Sequence, residues 1–371
     1  MTNTTESKRP LVLVTGSSGL IGTRVTQALA DRYQVIGLDV VEPERPFAGE
    51  AAYTCDLTDD RSVSKTMTTI HRAHGRRIAS AIHLAAYYDF SGEPSPLYEQ
   101  LTVRGTQRLL NALEAFDVEQ FLFSSSLLVM QPTSDTDQKL TEQSPTSAAW
   151  DYPQSKLEAE RVLKRERGDV PVVVLRIAGV YDDQGHSLPI CQQIRRIHQR
   201  QLESVLFPGE ADHGQPFVHL DDLTTCIVQT VDRRARLNDY EVFLIAEPEV
   251  VSYAELQETI GELVHGQAWP TIRIPKLLAR AGAWAKQTLS DQEQFIKPWM
   301  IDLADAHYPA EIQRARRKLD WEPRHRLKTT LKTIIGRLKQ DPAAWYESNG
   351  LPLPDSLAQA GSTSAADDRE S

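Results

Sequence analysis

The stretch LVLVTGSSGLIG, Leu11 to Gly22, runs five apolar or β-branched residues straight into a loop with glycines at positions 16, 19 and 22. Such a run reads as a buried strand. The spacing Gly16-x-x-Gly19-x-x-Gly22, followed by a helix, leaves backbone N–H groups at the positive end of that helix. A pyrophosphate suits this place, because residues without side chains let it approach the backbone. Glycines also serve plain tight turns, so the loop needs support from the rest of the chain.

Working outward, the next strand-like run, QVIGLDV, ends at Asp39, 17 residues after Gly22. A carboxylate there can accept both hydroxyls of an adenosine ribose and repels a 2′-phosphate, which predicts NAD rather than NADP. TCDLTDD then offers Asp56 and Leu57, which flank an adenine, unless Asp56 instead caps the following helix. IASAIHLAA, QFLFSSS and VPVVVLRIA continue the strand-like series, alternating with helical stretches. That alternation predicts an α/β fold with a Rossmann-like, doubly wound parallel sheet.

The expected organisation is a nucleotide-binding domain over 10–178. A smaller, discontinuous substrate domain over 179–350 sends segments back to it. Residues 1–9 and 355–371 are polar or small and read as tails. SPLYEQLTVRGTQRLLNALEAF predicts a helix with Ser95 as N-cap, Pro96 at the first position, and Leu97, Leu101, Leu109 and Leu113 along one apolar face.

Bulk properties exclude several functions. A formal net charge of -10 argues against a nucleic-acid backbone or an anionic membrane as the main partner. No apolar run approaches the roughly 20 residues that span a bilayer. Cys55, Cys191 and Cys226 are widely spaced and odd in number, which fits buried thiols in a reducing, cytoplasmic compartment. His71 and His74 have no third ligand nearby and read as a helix face, so no metal is expected.

Tyr152 has Lys156 four residues on, a helical spacing that places both on one face. An ammonium there is expected to lower the phenol from its ordinary value of about 10 and make it a general base. Pro153 puts Tyr152 at the entrance of its helix. Ser124, Ser125 and Ser126 end a strand at the carboxyl edge of the sheet, where open α/β folds bind ligands. Taken alone, the serines read as loop hydrogen-bonding groups.

Set in order, TGSSGLIG, LDV, CDLTD, HLAA, FSSS and YPQSK resemble the extended short-chain dehydrogenase/reductases, also called the NAD-dependent epimerase/dehydratase family. LRIAGVY and FVHLDDL look like that family's later landmarks, so the resemblance covers about Pro10 to Lys339. It implies that Ser126 polarises the reacting oxygen, that Tyr152 is the acid/base and that Lys156 binds the nicotinamide ribose. It also implies that Leu84, Ala85 and Ala86 line the cofactor cleft beside Gly16, Ser18, Gly19, Leu20, Ile21 and Gly22. A homodimer built on the helices from Ser95 and Tyr152 is a further implication. HLAAYYDFSGEP, IKPWMIDLADAHYP and DPAAWYESNG look like a narrower bacterial subgroup of unassigned substrate.

Three positions depart from the family's pattern. Thr102 stands where many relatives carry asparagine, and a hydroxyl lacks the paired donor and acceptor of an amide. Gly179 and Gln215 occupy the positions matching an asparagine and an arginine that hold a diphosphate in nucleotide-sugar epimerases. Arg176, Arg195 and Arg196 are expected in structural pairs or in solvent, and Trp299 and Met300 in a pocket wall or in packing. These readings point to hydride transfer at a secondary alcohol or ketone of a small molecule. A nucleotide-sugar epimerase or dehydratase is the alternative, with a non-catalytic NAD-responsive binding protein as a third.

Overall fold

The computed structural model describes residues 9–41, 51–89, 93–281 and 298–354, with side chains from Met300 onward in the last segment. The side chain of Trp299 lies outside the described residues. Seven strands form one parallel sheet: β1 (Leu11–Thr15), β2 (Gln34–Asp39), β3 (Ala51–Thr54), β4 (Ser80–His83), β5 (Phe121–Ser126), β6 (Val172–Ile177) and β7 (Tyr240–Ile245). Their order is β3-β2-β1-β4-β5-β6-β7. The order reverses between β1 and β4, which opens a crevice at the carboxyl ends of those strands.

β1 shows why the sheet is covered twice. Val12 and Val14 face a layer holding Val25 and Leu29 of α1 (Leu20–Leu29), while Leu11 and Leu13 face Met67 and Ile70 of α2 (Asp60–His74) and Leu109 of α3 (Arg104–Leu113). Alternate side chains of a strand point to opposite faces, so a strand apolar at every position needs helices on both. α4 (Asp151–Glu166) completes the second layer through Ala159 and Leu163, and α6 (Leu220–Asp232) completes the first through Leu223 and Ile227.

The helix expected from Ser95 differs in phase. Ser95 accepts a hydrogen bond from the Leu97 N–H, as its capping role requires, but Tyr98–Val103 form a π-helical turn before α3 begins. A wider turn takes an extra residue and shifts the buried face. Tyr98, Thr102 and Val103 are therefore buried, whereas Leu97 and Leu101 are only half-buried; Leu109 and Leu113 return to the expected face.

A third apolar cluster lies beyond the sheet. It joins Ile190, Ile194 and Ile197 of α5 (Leu188–His198) with Leu256 and Ile260 of α7 (Tyr253–His265) and Leu331, Ile334 and Leu338 of α8 (Leu327–Gln340). Gly179–Tyr181 leaves the end of β6 and pairs with Phe217–His219, which ties this cluster to the sheet edge. All three cysteines are free and buried. No helix among the described residues is long and apolar enough to cross a membrane.

Candidate active site

The three loop glycines do different work. Gly16 has φ +71°, and a Cβ there meets the backbone N of Ala85 at 2.9 Å, so the loop rests directly on Leu84 and Ala85. A Cβ on Gly22 falls 2.0 Å from the Gly16 carbonyl oxygen, which makes Gly22 a condition of the turn itself. Gly19 is exposed, and its nearest obstacle is the same oxygen at 3.4 Å. It is the N-cap of α1 without a capping side chain, and that helix has no acidic residue in its first turn. The open, positive helix end is therefore at Gly19, with exposed Leu20 and half-buried Ile21 beside it.

Asp39 stands next to this loop. Its Oδ2 accepts from the Ser18 N–H at 3.0 Å and its Oδ1 from the Val40 N–H at 2.8 Å, which fixes the carboxylate at the end of β2. Arg45, the cation near Asp39 in sequence that bears on the choice between NAD and NADP, lies outside the described residues. The Cys55 N–H donates to the Asp39 carbonyl at 2.7 Å, bringing Asp56 and Leu57 to the same edge. Asp56 does not cap α2: its Oδ1 accepts from the N–H and hydroxyl of Thr58, and Asp59 is the cap, accepting from the Arg61 N–H. Leu57 is buried against Gly105 of α3.

Leu84, Ala85 and Ala86 are half-buried along the crevice. The Thr102 hydroxyl is spent accepting from the Tyr87 N–H at 3.1 Å, so this fully buried residue holds the segment after Ala86 in place. Below it, His83 is wholly buried between the hydroxyls of Thr15 (2.6 Å) and Thr106 (2.9 Å). Burial, with the nearby Lys156 charge, pushes this imidazole down to about 3, so it is neutral at physiological pH. Sequence reasoning passed over His83, whose partners come from separate elements.

The serine run divides its work. The Ser124 hydroxyl donates to the His83 carbonyl, and the Ser125 hydroxyl donates to Glu160, which is also paired with Arg176 at 2.7 Å in a buried ion pair. Ser126 accepts from the Leu128 N–H at 3.2 Å, and its hydroxyl stands close enough to the Tyr152 phenol to favour the ionised form. Tyr152 is the second residue of α4, which starts at Asp151, and its ring meets Tyr88 at 4.8 Å and Trp150 at 5.5 Å. One turn further on, the Lys156 Nζ lies 6.0 Å from the Tyr152 ring centroid and donates to the Ser124 carbonyl at 2.6 Å.

The electrostatics correct one expectation. Burial pushes the Tyr152 phenol up to about 12, with the Ser126 hydroxyl pulling the other way. Burial also pushes Lys156 down to about 7 against the pull of Glu160. Removing water costs each charged form more than its neighbours return, and the ammonium is turned to a backbone carbonyl. Lys156 thus does not lower Tyr152 below its ordinary value in this structure.

Arg176 lies in a structural pair, as expected, and Arg195 donates to Gln192 at 3.3 Å. Arg196 is the correction: it lines a cavity of about 230 Å³ between α5 and α7, together with Met300. Gln215, at the diphosphate position, instead donates its amide to the Ala306 carbonyl at 2.9 Å. A Cβ on Gly179 meets the Phe217 ring at 2.9 Å, so that ring already occupies the space a side chain needs. A larger open groove of about 550 Å³ between α2 and α3 shares no residue with these groups. His74 contacts Gln34 and Tyr53 rather than solvent alone. A His219, Asp221 and His325 group has metal-forming composition, yet its two imidazoles stack at 3.9 Å with planes 17° apart. Ring-nitrogen lone pairs lie in the ring plane, so the stack does not aim them at a common point.

A family model described as the NAD dependent epimerase/dehydratase family matches residues 12–246. The chain belongs to that family. Among its epimerase/dehydratase relatives, 3 beta-hydroxysteroid dehydrogenase type 7 of Homo sapiens is 24% identical, over 87% of this chain and 94% of its own. UDP-glucose 4-epimerase of Vibrio cholerae is 23% identical over 91% and 96%. The solved structure of MoeE5 in complex with UDP-glucose and NAD superposes with a TM-score of 0.67 at 23% identity, covering 89% and 98% of the two chains, a likeness of fold. The protein is thus an NAD-dependent enzyme of the extended short-chain dehydrogenase/reductase type. The open backbone at Gly19 and the carboxylate at Asp39 fit NAD.

Proposed function

We propose that the protein is an oxidoreductase that moves hydride at a secondary alcohol or ketone carbon, with Tyr152 as the acid/base. The observation that carries this reading is the placement of Ser126, at the carboxyl end of β5, beside Tyr152 at the entrance of α4, with Lys156 one turn behind. NAD, when bound, supplies the hydride donor or acceptor. The Ser126 hydroxyl steadies the reacting oxygen, and the Tyr152 phenol exchanges a proton with it. Lys156 faces the nicotinamide ribose in this reading. The Tyr152 phenol is the acid in carbonyl reduction, and its phenolate is the base in alcohol oxidation.

The cofactor residues in this reading are Gly16, Ser18, Gly19, Leu20, Ile21, Gly22, Asp39, Asp56, Leu57, Leu84, Ala85, Ala86, Thr102, Tyr152 and Lys156. Residues 10–178 form the NAD-binding domain, and 179–350 chiefly the part that closes over the substrate. Three free buried thiols support a cytoplasmic setting. The family resemblance supports a homodimer through α3 and α4; light scattering should give twice the chain mass at micromolar concentration, and monomer mass removes the proposal.

The test of the reaction is a panel of ketones and secondary alcohols offered with NAD(H), run beside UDP- and dTDP-sugars. Net oxidation or reduction of a panel member is expected. Sugar inversion without net redox change contradicts the proposal.

A further inference from the structure

The cavity beside Arg196 continues the line of the reacting groups. Ser126 lies opposite Ile177 in the register of β5 and β6, and two residues on, Gly179 lies opposite Phe217. Phe217 is one wall of the cavity. Phe207 and Tyr253 form another, their rings stacked at 3.7 Å and 24°. The lining is mainly apolar and aromatic, the character of a site for a flat ring system.

Its polar groups are few and mostly committed. The Gln215 amide is spent on Ala306. The His213 Nδ1 donates to the Asp305 carbonyl at 2.6 Å. Glu203 is also in the lining and has a partner of its own. Arg196 differs. It is half-buried, sits beside the Tyr253 hydroxyl and forms no ion pair among the described residues. A guanidinium partly removed from water and set among rings, with no described carboxylate in ion-pair contact, retains donors for an anion. Its planar donor fork matches a carboxylate, and the phenol beside it adds a further donor. Among the described residues of the lining it is the one guanidinium or ammonium group. A diphosphate carries more charge, and Phe217 closes the space at Gly179 where a second polar side chain would stand.

We propose that this cavity binds the body of the substrate as a flat apolar ring system bearing a single carboxylate, which Arg196 holds. The proposal rests on the reading that the reacting carbon lies at Ser126 and Tyr152. Arg196 then sets substrate choice, at a distance from the proton transfer.

The test titrates the full chain, with NAD present, by calorimetry. The probes are naphthalene-carboxylate, naphthalenemethanol and UDP-glucose, and the proteins are the unmodified chain, Arg196→Gln and Arg196→Lys. The carboxylate should bind at least about tenfold more tightly than the alcohol, Arg196→Gln should erase that preference, and Arg196→Lys should restore part of it. NAD affinity, measured on every variant, should be unchanged and reports that each is folded. Absence of carboxylate binding, equal affinity for acid and alcohol, or a preference that survives Arg196→Gln overturns the proposal. Tighter binding of UDP-glucose than of the carboxylate also overturns it. Since the readout is binding, a Tyr152→Phe variant that retains turnover removes the acid/base reading without touching this result.

Discussion

Tyr152 is a weaker acid in this structure than in water, and Lys156 holds its proton less firmly, both because burial strips hydration from the charged form. The spacing of four residues was legible in the sequence. The depth of burial was not, because beside the adjacent Trp150 it is set by Tyr88 and Phe123 from other parts of the chain. The sign of Lys156's effect on stability follows. Unfolded, the amine keeps its proton up to about 10.5; folded, it loses it near 7. Across that window the unfolded chain binds more protons, so this residue makes stability rise with pH. Urea unfolding at the two ends of the window should show a rise in the unmodified protein that Lys156→Met reduces, and equal slopes count against it. Asp39 carries a separate expectation: Asp39→Ala should narrow the gap between NAD and NADP affinity by about tenfold or more, measured by calorimetry. Equal affinities before the change contradict its role.

The glycine loop is the element in which sequence and structure agree most closely, and it yields a paired prediction. Gly22→Ala places a methyl 2.0 Å from the Gly16 oxygen and should cost about 3 kcal/mol or more in denaturant unfolding. Gly19→Ala, with φ -74° and its nearest neighbour in ordinary contact at 3.4 Å, should leave stability within about 0.5 kcal/mol. It should still weaken NAD binding, because the added methyl stands at the open helix end. The reverse ranking removes the assignment of the loop. The helix after Ser95 was less legible. Its cap and its second half were readable from Ser95, Leu109 and Leu113. The π turn was hidden, because one extra residue in a turn leaves no mark on a pattern of leucines.

At the scale of the molecule, the parallel sheet followed from alternating apolar runs, each long enough for one strand. The region past β6 resisted reading. Its cluster gathers α5, α7 and α8, separated by long intervals of chain, so no local period announces which faces meet. Arg196 illustrates the cost: its neighbour Arg195 turns to Gln192 while Arg196 turns to the cavity, a choice fixed by the packing of α5 rather than by residue type. Gly179 and Gln215 were read as positions lacking charge, and the structure adds the reason, Phe217 against the one and Ala306 holding the other.

Proton exchange by Tyr152 coupled to hydride transfer leaves an isotopic signature in the product. Deuteride-labelled NADH is incubated with an accepted ketone and either the unmodified protein or Tyr152→Phe, and deuterium in the product alcohol is followed by mass spectrometry. The unmodified protein should place one deuterium on the carbinol carbon, while Tyr152→Phe should bind NAD nearly as well and transfer at least about a hundredfold more slowly. Transfer by Tyr152→Phe at the unmodified rate would contradict the account.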